Sequence, residues 1–544
     1  MVSPTEVPRV AGAGRNTLKR HFRNLTALPT WSSRPWTRGV VRAEARGRTR
    51  CPRQYNPLVS VQSVDHGHRQ LNALQRGNAA FRQGDYREAI ALFGTALADT
   101  PALARVIAPN IARARDRYRA QRNAAIGGAD GTLRVGVSGW ELAHNAAGRA
   151  YTLALLYRGF ADAELIGPLY ADLGREVWEP IRATPLPKHT FLVENPADFI
   201  SQALTFVAEH PYDLVHLSKP RAPNLFIGLL YKLIWDASVL MDVDDEELAF
   251  VAATTPATLA EYQTQQRPLP PMADLLGREW TRLSVGVATA FDGVTVPNSA
   301  LQARYGGTLI AHARDERQFR PTPAGRQLSR LKHGIPGSRK VVLFFGTPRA
   351  HKGLLQVAQA IASLGRPDVT FVIVGDFVDP DLKPRLLSIT DVDYRFIGNQ
   401  PFSSIPEVVA LADVCVLYQD PGSLASQYQT PAKLGDALAM GVPVIASPTP
   451  GLADAIDAGA IIAATDAPLR ETLAALLEAP AFSAERSAKG RTYYLDALSF
   501  ARNQPALRTC AEAAVSAQGL NAALAALVDA VDDPRLGALT ERSA

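Results

Sequence analysis

Residues 340–364 read KVVLFFGTPRAHKGLLQVAQAIASL, which is an apolar run, a short loop and a second apolar run. The first run has the length and the β-branched content of a buried strand, and the second has the period of a helix. Arg349, His351 and Lys352 crowd the loop at the start of that helix, where the backbone dipole already supplies positive charge. Cations are favourable there when an anion joins them. The stretch therefore predicts a parallel βα unit that binds a phosphate or diphosphate.

The same alternation of strand and helix extends to both sides of this stretch. The strand candidates are LRVGVS, HTFLVE, DLVHLS, SVLMDV and GVTVP, then KVVLFFG, VTFVIVG, VDYRFIG, VCVLYQ and PVIAS. Short apolar strands with helices between them are typical of parallel βαβ units. The polar, Pro/Gly-rich stretch 314–339 predicts a boundary. We therefore expect an α/β protein with two doubly wound Rossmann-like domains, 132–320 and 338–480, facing a cleft that holds the ligand.

The net charge of +6 arises at the start of the chain. Residues 1–65 hold 12 basic and 3 acidic residues, whereas the remainder holds 46 basic and 49 acidic ones. With no periodicity, this segment is expected to be a disordered basic tail. It is either a solvated extension or mistaken start, or an attachment to anionic lipid or an acidic partner. The balanced charge of the rest argues against nucleic acid as a partner.

Composition also suggests where the protein works. Cys51, Cys415 and Cys510 lie far apart and form neither a disulfide framework nor a metal pattern, which favours a reducing compartment. No apolar run approaches the ~18 residues of a spanning helix, and the first thirty residues lack the apolar core of a signal peptide. We expect a cytoplasmic protein. The basic tail makes the inner membrane surface a further location to test.

Two helical segments flank the predicted α/β domains. Residues 68–128 resemble one tetratricopeptide repeat followed by a third helix, and residues 481–544 are expected to be C-terminal helices. The repeat's packing positions are occupied by Gly77, Tyr86, Ala89, Phe93, Ala96 and Pro101. Single repeats usually need stacked neighbours. The unit therefore either packs on the next domain or docks a protein partner.

A second motif is YQTPAKLGDALAMGVPVIAS, residues 428–447. It predicts a helix that leads through Gly441 into a buried strand. Asp436 lies one turn from the helix end, and a carboxylate there suits the paired hydroxyls of a ribose. The alternative is a surface acid that pairs with Lys433 three residues earlier.

Together these stretches resemble the donor domain of the two-domain, GT-B-type glycosyltransferases of group 1 (family 4-like). The order and spacing of GTPRAHKGL, VTFVIVGD, FIGNQPFSSIPEVVALADVCVLYQD and TPAKLGDALAMGVPVIAS carry the resemblance. LRVGVSGWELAHNAAGRAYTLA, YDLVHLSKPRAPN and VTVPNSALQARYGG resemble the acceptor half less closely. The resemblance implies sugar transfer, with retention, from a nucleotide diphosphate sugar to a glycan or lipid-linked hydroxyl. It also implies no essential metal and no tightly bound cofactor.

The resemblance assigns roles to individual residues. Arg349 and Lys352 would clamp the diphosphate, and His216 would take part in catalysis at the end of a first-domain strand. The expected nucleotide-sugar contacts are Gly139, Gly148, Gly346, Gly375, Lys433 and Asp436. Three positions depart from the family: Thr347 where an Arg is common, Tyr428 where the first of two Glu is common, and Ser218 where His216 would have a second His.

Other interpretations of these motifs remain open. The basic loop can be a solvated turn, the GWELAHNAAGRA loop an ordinary strand–helix turn, and His216 a buried, satisfied histidine. MDVDDEEL, residues 241–248, is either a solvated loop, an acceptor contact or a Mg²⁺ or Mn²⁺ site. A nucleotide-sugar 2-epimerase or a non-catalytic nucleotide-binding scaffold is the alternative function.

Overall fold

A computed structural model of the protein describes residues 73–126, 132–464, 466–515 and 519–541. All of them belong to one compact unit of the chain, residues 61–544. The predicted basic tail, residues 1–65, lies outside the described residues.

The first domain is built on a seven-stranded, entirely parallel sheet with the strand order β3-β2-β1-β4-β5-β6-β7. Its strands are β1 Arg134–Gly139, β2 Asp162–Tyr170, β3 Lys188–Val193, β4 Leu214–Ser218, β5 Ser238–Asp242, β6 Gly293–Val296 and β7 Thr308–Leu309. The order reverses between β1 and β4, which is where an open α/β sheet leaves a crevice at its carboxyl edge.

Helices cover both faces of this sheet. They are α4 Ala147–Tyr157, α5 Glu179–Arg182, α6 Phe199–Glu209, α7 Ala222–Trp235, α8 Leu259–Thr264, α9 Arg278–Gly286 and α10 Ser299–Tyr305. One apolar cluster joins the sheet to α6, α7 and α9, and another joins its opposite face to α4. Burial of both faces explains why the strands are nearly continuous apolar runs.

The second domain has a six-stranded parallel sheet with the order β10-β9-β8-β11-β12-β13. Its strands are β8 Lys340–Phe345, β9 Val369–Val374, β10 Asp393–Ile397, β11 Val414–Leu417, β12 Val444–Ala446 and β13 Ile462–Ala463. Helix α11 Pro323–Lys332 connects the two domains. The helices of the second domain are α12 Leu354–Ser363, α13 Leu382–Leu387, α14 Ile405–Ala410, α15 Leu424–Tyr428, α16 Ala432–Ala439, α17 Ala453–Asp457, α18 Asp466–Glu478 and α19 Pro480–Tyr493. The predicted fold class, two doubly wound domains after a helical unit, is confirmed.

The N-terminal helical unit consists of α1, residues 73–83, α2 Tyr86–Asp99 and α3 Ala104–Ile126. The ring of Phe93 lies against Gly77, where a Cβ would come within 2.6 Å of it. Helix α2 packs on α6 of the first domain. Of the two roles predicted for this unit, packing on the next domain is the one that the contacts display.

The C-terminal helices return to the first domain. They are α20 Phe500–Val515, α21 Ala522–Val531 and α22 Pro534–Thr540. Leu507 and Ala511 of α20 are buried in the apolar cluster around α4, and α22 packs on α3 and α7. The second domain is thus connected at both ends to elements that belong to the first.

No single helix among the described residues is long and apolar enough to cross a membrane. By length and composition alone, one pair bent by 119°, Tyr86–Asp99 and Pro101–Arg122, meets the requirement.

Candidate active site

The loop after β8 has the backbone geometry of a phosphate-binding turn. Gly346 and Gly353 adopt positive φ values of 107° and 65°, which L side chains rarely tolerate. Gly353 is followed by α12, whose first turn has no side-chain cap, so its amides remain available to a ligand.

Three basic side chains, those of Lys352, Lys433 and Arg349, converge on this loop. The Lys352 ammonium donates to the side-chain oxygens of Gln419 and, at 3.1 Å, Gln429. Burial, then the nearby Lys433, lower the pKa of Lys352 to about 7. Burial likewise lowers the pKa of Lys433. Within the described ranges, neither these lysines nor the exposed Arg349 forms an ion pair. A low-dielectric site that holds uncompensated cations is poised for an anion.

The glycines predicted for this site have a steric role. A Cβ on Gly346 would collide with the Lys433 side chain. A Cβ on Gly375, where φ is 125°, would lie 2.9 Å from the Gly346 carbonyl carbon. Gly346, Gly375 and Lys433 are therefore brought together near the carboxyl ends of β8 and β9, and their role in binding the donor stays a prediction.

Unsatisfied polar atoms lie at the carboxyl ends of the neighbouring strands. Gln419 Nε2 after β11, and Ser447 Oγ and Thr449 Oγ1 after β12, are buried and have no hydrogen-bond partner among the described residues. Buried donors of this kind are costly unless a ligand or water satisfies them. These three residues were not predicted from the sequence, because only their position after the strands distinguishes them from other polar residues.

Asp436 is placed differently from both of its predicted roles. It is 4% exposed, and its carboxylate is bound by the Arg314 guanidinium, which comes from the connection between the domains. The alternative of a surface acid paired with Lys433 is therefore wrong. As a ribose ligand Asp436 remains a prediction, but its oxygens are already engaged by a buried cation.

His216 is not positioned to meet a substrate. It is fully buried, and its ring nitrogens lie 3.0 Å from the Tyr157 hydroxyl and 2.9 Å from Thr295 Oγ1. Burial lowers its pKa to about 4, so the imidazole is neutral at physiological pH. We correct the predicted catalytic role: the middle of a strand covered by helix α4 gives this side chain no access to the cleft.

The glycines predicted in the first domain lie around the loop that follows β1. Gly139 ends β1, and Gly148 is in the first turn of α4, whose N-terminus has no side-chain cap. The strand register aligns Gly139 with Ser218 and Ser218 with Asp242. These residues share one edge of the first sheet.

The acidic segment after β5 is neutralised by protein cations. Arg149 donates to Asp242 at 2.8 and 2.9 Å, and Lys219 Nζ lies 3.1 Å from both Asp244 and Glu247. Although burial raises the pKa of Asp244, Lys219, His312 and Arg149 hold it well below its usual value. Among the described residues, no group of three metal-ligating side chains is placed to hold a metal ion. This segment is therefore not a solvated loop, because its carboxylates are buried and paired with Arg149 and Lys219.

Lys219 itself adopts an unusual backbone conformation. Its φ is 77°, a region that costs a non-glycine residue of the order of 1–3 kcal/mol. Three surrounding carboxylates, those of Asp244, Asp245 and Glu247, raise its pKa well above the usual value despite its burial. The sequence offered no indication of this cluster, because its members come from the ends of two different strands.

Tyr428 occupies the place of the family's first Glu. The guanidinium of Arg304 lies 5.4 Å from its ring centroid, and Asn298 donates to its carbonyl at 2.9 Å. Both partners come from the first domain. The aromatic side chain thus contributes to the contact between the domains.

Two parallel sheets joined in this way define a GT-B-type fold, and solved proteins share it. The structure superposes on HepE from Anabaena in complex with UDP and glucose, with a TM-score of 0.53 and 16% identity over 70% of this chain and 100% of that one. A glycosyltransferase from Rickettsia africae gives a TM-score of 0.52 and 13% identity, covering 71% of this chain and 98% of that one. Sucrose-phosphate synthase from Thermosynechococcus elongatus gives a TM-score of 0.50 and 16% identity, covering 69% of this chain and 98% of that one.

The second domain also has a family match in sequence. Residues 339–479 match the profile of the family described as Glycosyl transferases group 1. No curated protein matches the chain. The family match indicates a group 1 glycosyltransferase domain at residues 339–479, and the solved structures show that the chain shares their fold.

Proposed function

We propose that the protein transfers a sugar, with retention, from a nucleotide diphosphate sugar to a hydroxyl of a glycan or lipid-linked acceptor. The observation that carries the proposal is the convergence of three basic side chains, Lys352 and Arg349 from the loop before α12 and Lys433 from α16, which reaches Gly346. HepE binds UDP and glucose, which makes uridine diphosphate the first donor nucleotide to test here. The acceptor class and retention rest on the resemblance to group 1 enzymes.

The chemistry requires stabilisation of separated charge. As the bond from the sugar to the diphosphate breaks, the sugar ring becomes positive and the departing diphosphate becomes more negative. Lys352, Lys433 and the amides of α12 would stabilise that negative charge in the transition state. Arg349 is exposed at the edge of the loop and would reach the outer phosphate oxygens as a planar donor.

Nucleotide binding is tested first with a thermal-shift panel of UDP, ADP and GDP and their glucose conjugates. A ligand at ~100 times its dissociation constant stabilises the folded chain by ~2.7 kcal/mol. Incubation with the donor alone and with acceptor then separates transfer from epimerisation, because an epimer forms without acceptor. A panel that produces no stabilisation, or binding without any turnover, would contradict the proposal.

Lys352→Ala tests the phosphate clamp itself. Each charge-assisted contact contributes ~1.5–3 kcal/mol, so diphosphate binding should weaken by about tenfold to a hundredfold. Calorimetry should show that the variant binds UDP more weakly than the wild type does but binds uridine with unchanged affinity. Lys489→Ala is the control, since Lys489 pairs with Glu485 on the surface at 2.8 Å. Equal weakening of both ligands would show that Lys352 does not act as a phosphate clamp.

We further propose that the protein works in the cytoplasm, at the inner membrane surface. The basic composition of residues 1–65 supports attachment to anionic lipid. The N-terminal helical unit is proposed as a site for a protein partner, because Leu103 and Val106 on its outer side are exposed. Deletion of residues 1–65 should reduce binding to phosphatidylserine vesicles and leave the melting temperature unchanged.

A further inference from the structure

A line of polar contacts crosses from the phosphate-binding loop to the first domain. Lys352 Nζ donates to Gln429 Oε1 at 3.1 Å, and Gln429 Nε2 donates to Asp245 Oδ1 at 2.9 Å. The other oxygen of Asp245 accepts from Lys219. Gln429 precedes α16 in the second domain, whereas Asp245 lies in the acidic segment that follows β5 in the first.

Gln429 is suited to this position because its side-chain amide is both a hydrogen-bond donor and an acceptor. Its oxygen accepts from a cation and its nitrogen donates to a carboxylate, so the neutral side chain separates Lys352 from Asp245 while it connects them. Gln419 also accepts from Lys352, but its own nitrogen has no partner. Within the described residues, Gln429 is therefore the amide that joins the ammonium to the opposite domain.

A diphosphate would compete directly with this contact. Lys352 has three donors, and hydrogen bonds to an ionised oxygen are roughly twice as strong as those to a neutral amide. The ammonium would turn from Gln429 to the phosphate, and this exchange of partners would release the bridge when the site is filled.

We infer that Gln429 is a positioning residue that couples occupancy of the phosphate site to the conformation of the acidic segment, residues 242–247. The inference rests on the proposed function, since it requires a diphosphate at Lys352. Coupling of this kind is reciprocal. Binding at the acidic segment, which shares its edge with Ser218 and the loop after β1, would alter donor affinity by the same factor.

The test compares two glutamines that both contact Lys352. Gln429→Met removes the bridge at nearly constant volume, and Gln419→Met removes a Lys352 contact but leaves the bridge intact. Hydrogen exchange of the peptide 243–251 reports on the acidic segment. Without ligand, exchange in that peptide should be faster in Gln429→Met than in the wild type and unchanged in Gln419→Met. Equal exchange in all three proteins overturns the bridge whether or not any nucleotide binds.

The second arm adds whichever of UDP, ADP and GDP gives the largest thermal shift. In the wild type, the diphosphate should change exchange in peptide 243–251. In Gln429→Met it should bind about twofold to tenfold more tightly, the value of one net hydrogen bond that no longer has to be broken, yet leave that peptide unchanged. A peptide that still responds in Gln429→Met, or weaker binding by that variant, overturns the coupling while nucleotide binding stands.

Failure of the wild type to bind any of the three nucleotides overturns the proposed function and the coupling together. The ligand-free exchange comparison still decides whether Gln429 connects the domains. If Gln429→Met does not fold, Gln429→Ser removes the same two contacts by shortening the side chain and replaces it in both arms.

Discussion

Lys352 is a residue whose pKa the candidate site lowers strongly. Burial, then Lys433, and finally Arg349 lower its pKa to about 7, against the opposing effect of Asp245. The pKa of a lysine in an unfolded chain is ~10.4. Between about pH 7 and ~10.4 the unfolded chain therefore binds more protons at this position, so the stability of the ligand-free protein should rise with pH across that window.

We predict that Lys352→Met is more stable than the wild type at pH 7 and that this advantage shrinks as the pH approaches 10. The reason is that folding requires Lys352 either to bury its charge or to lose its proton, and the cost of losing the proton falls as the pH approaches the pKa of the unfolded chain. Urea unfolding at pH 7, 8, 9 and 10 measures the difference, with Lys489→Met as the exposed control. A constant difference across this range would show that Lys352 is not desolvated in the folded protein.

The Arg314–Asp436 pair leads to a second prediction at this scale. Both side chains are almost fully buried, and the guanidinium also lies 5.2 Å from the Phe402 ring centroid. Asp436→Asn removes the charge at constant shape and leaves Arg314 uncompensated, which should lower stability by about 3–5 kcal/mol. Denaturant unfolding measures this loss. Asp454→Asn is the control, since that exposed carboxylate accepts from Ser299, and it should change stability by less than about 1 kcal/mol.

Nucleoside calorimetry on Asp436→Asn then addresses its predicted role at the ribose. A folded variant with unchanged uridine affinity would remove Asp436 from the nucleotide site and leave it as an interdomain ion pair. Weakened uridine binding without loss of stability would show that the pair rearranges when ligand is present.

At the scale of elements, helix α2 depends on a very close approach to α6. Gly94 is fully packed, and a Cβ there would collide with the Ala208 side chain. An exposed helix interior would gain up to about 1 kcal/mol from Gly→Ala. Here we predict the opposite sign: Gly94→Ala should separate the helices and reduce stability by about 1–3 kcal/mol.

Hydrogen exchange locates that effect. Protection should fall in residues 73–126 and in α6, while the second domain is unaffected. Gly537→Ala in α22 is the matched control, because no atom lies within 4 Å of its Cβ position. A stabilising Gly94→Ala would mean that the helical unit does not pack on the first domain in solution.

The sequence allowed most strands to be predicted, and the omissions have physical reasons. Strand β2 contains Gly167 and Pro168, which interrupt a strand pattern, and β7 and β13 are each two residues long. The phosphate loop was predictable because strand, turn and helix are contiguous. Gln429, Asp245 and Lys219 were not, because their contacts join residues about 26 to 184 positions apart and only the folded topology brings them together.

At the scale of the whole molecule, the C-terminal helices pack against the first domain and the N-terminal helical unit. The polypeptide leaves the first domain after β7, forms the second domain, and returns as α20 onto α4 and β7. Leu507 is fully buried in the cluster that contains Leu153 and Leu165. We therefore expect the two domains to unfold together, since the core of the first domain is incomplete without residues that follow the second.

We predict that Leu507→Ala destabilises the first domain although it lies about 200 residues beyond β7. Truncating a buried leucine in a packed core costs about 2–5 kcal/mol, through lost transfer free energy and the cavity that remains. Hydrogen exchange should show reduced protection in α4 and β1, not only in α20. Leu495→Ala, whose side chain is 44% exposed in the same C-terminal region, should change stability by no more than about 0.5 kcal/mol. Loss of protection restricted to α20–α22 would show instead that the returning helices are an accessory layer and that the first domain folds without them.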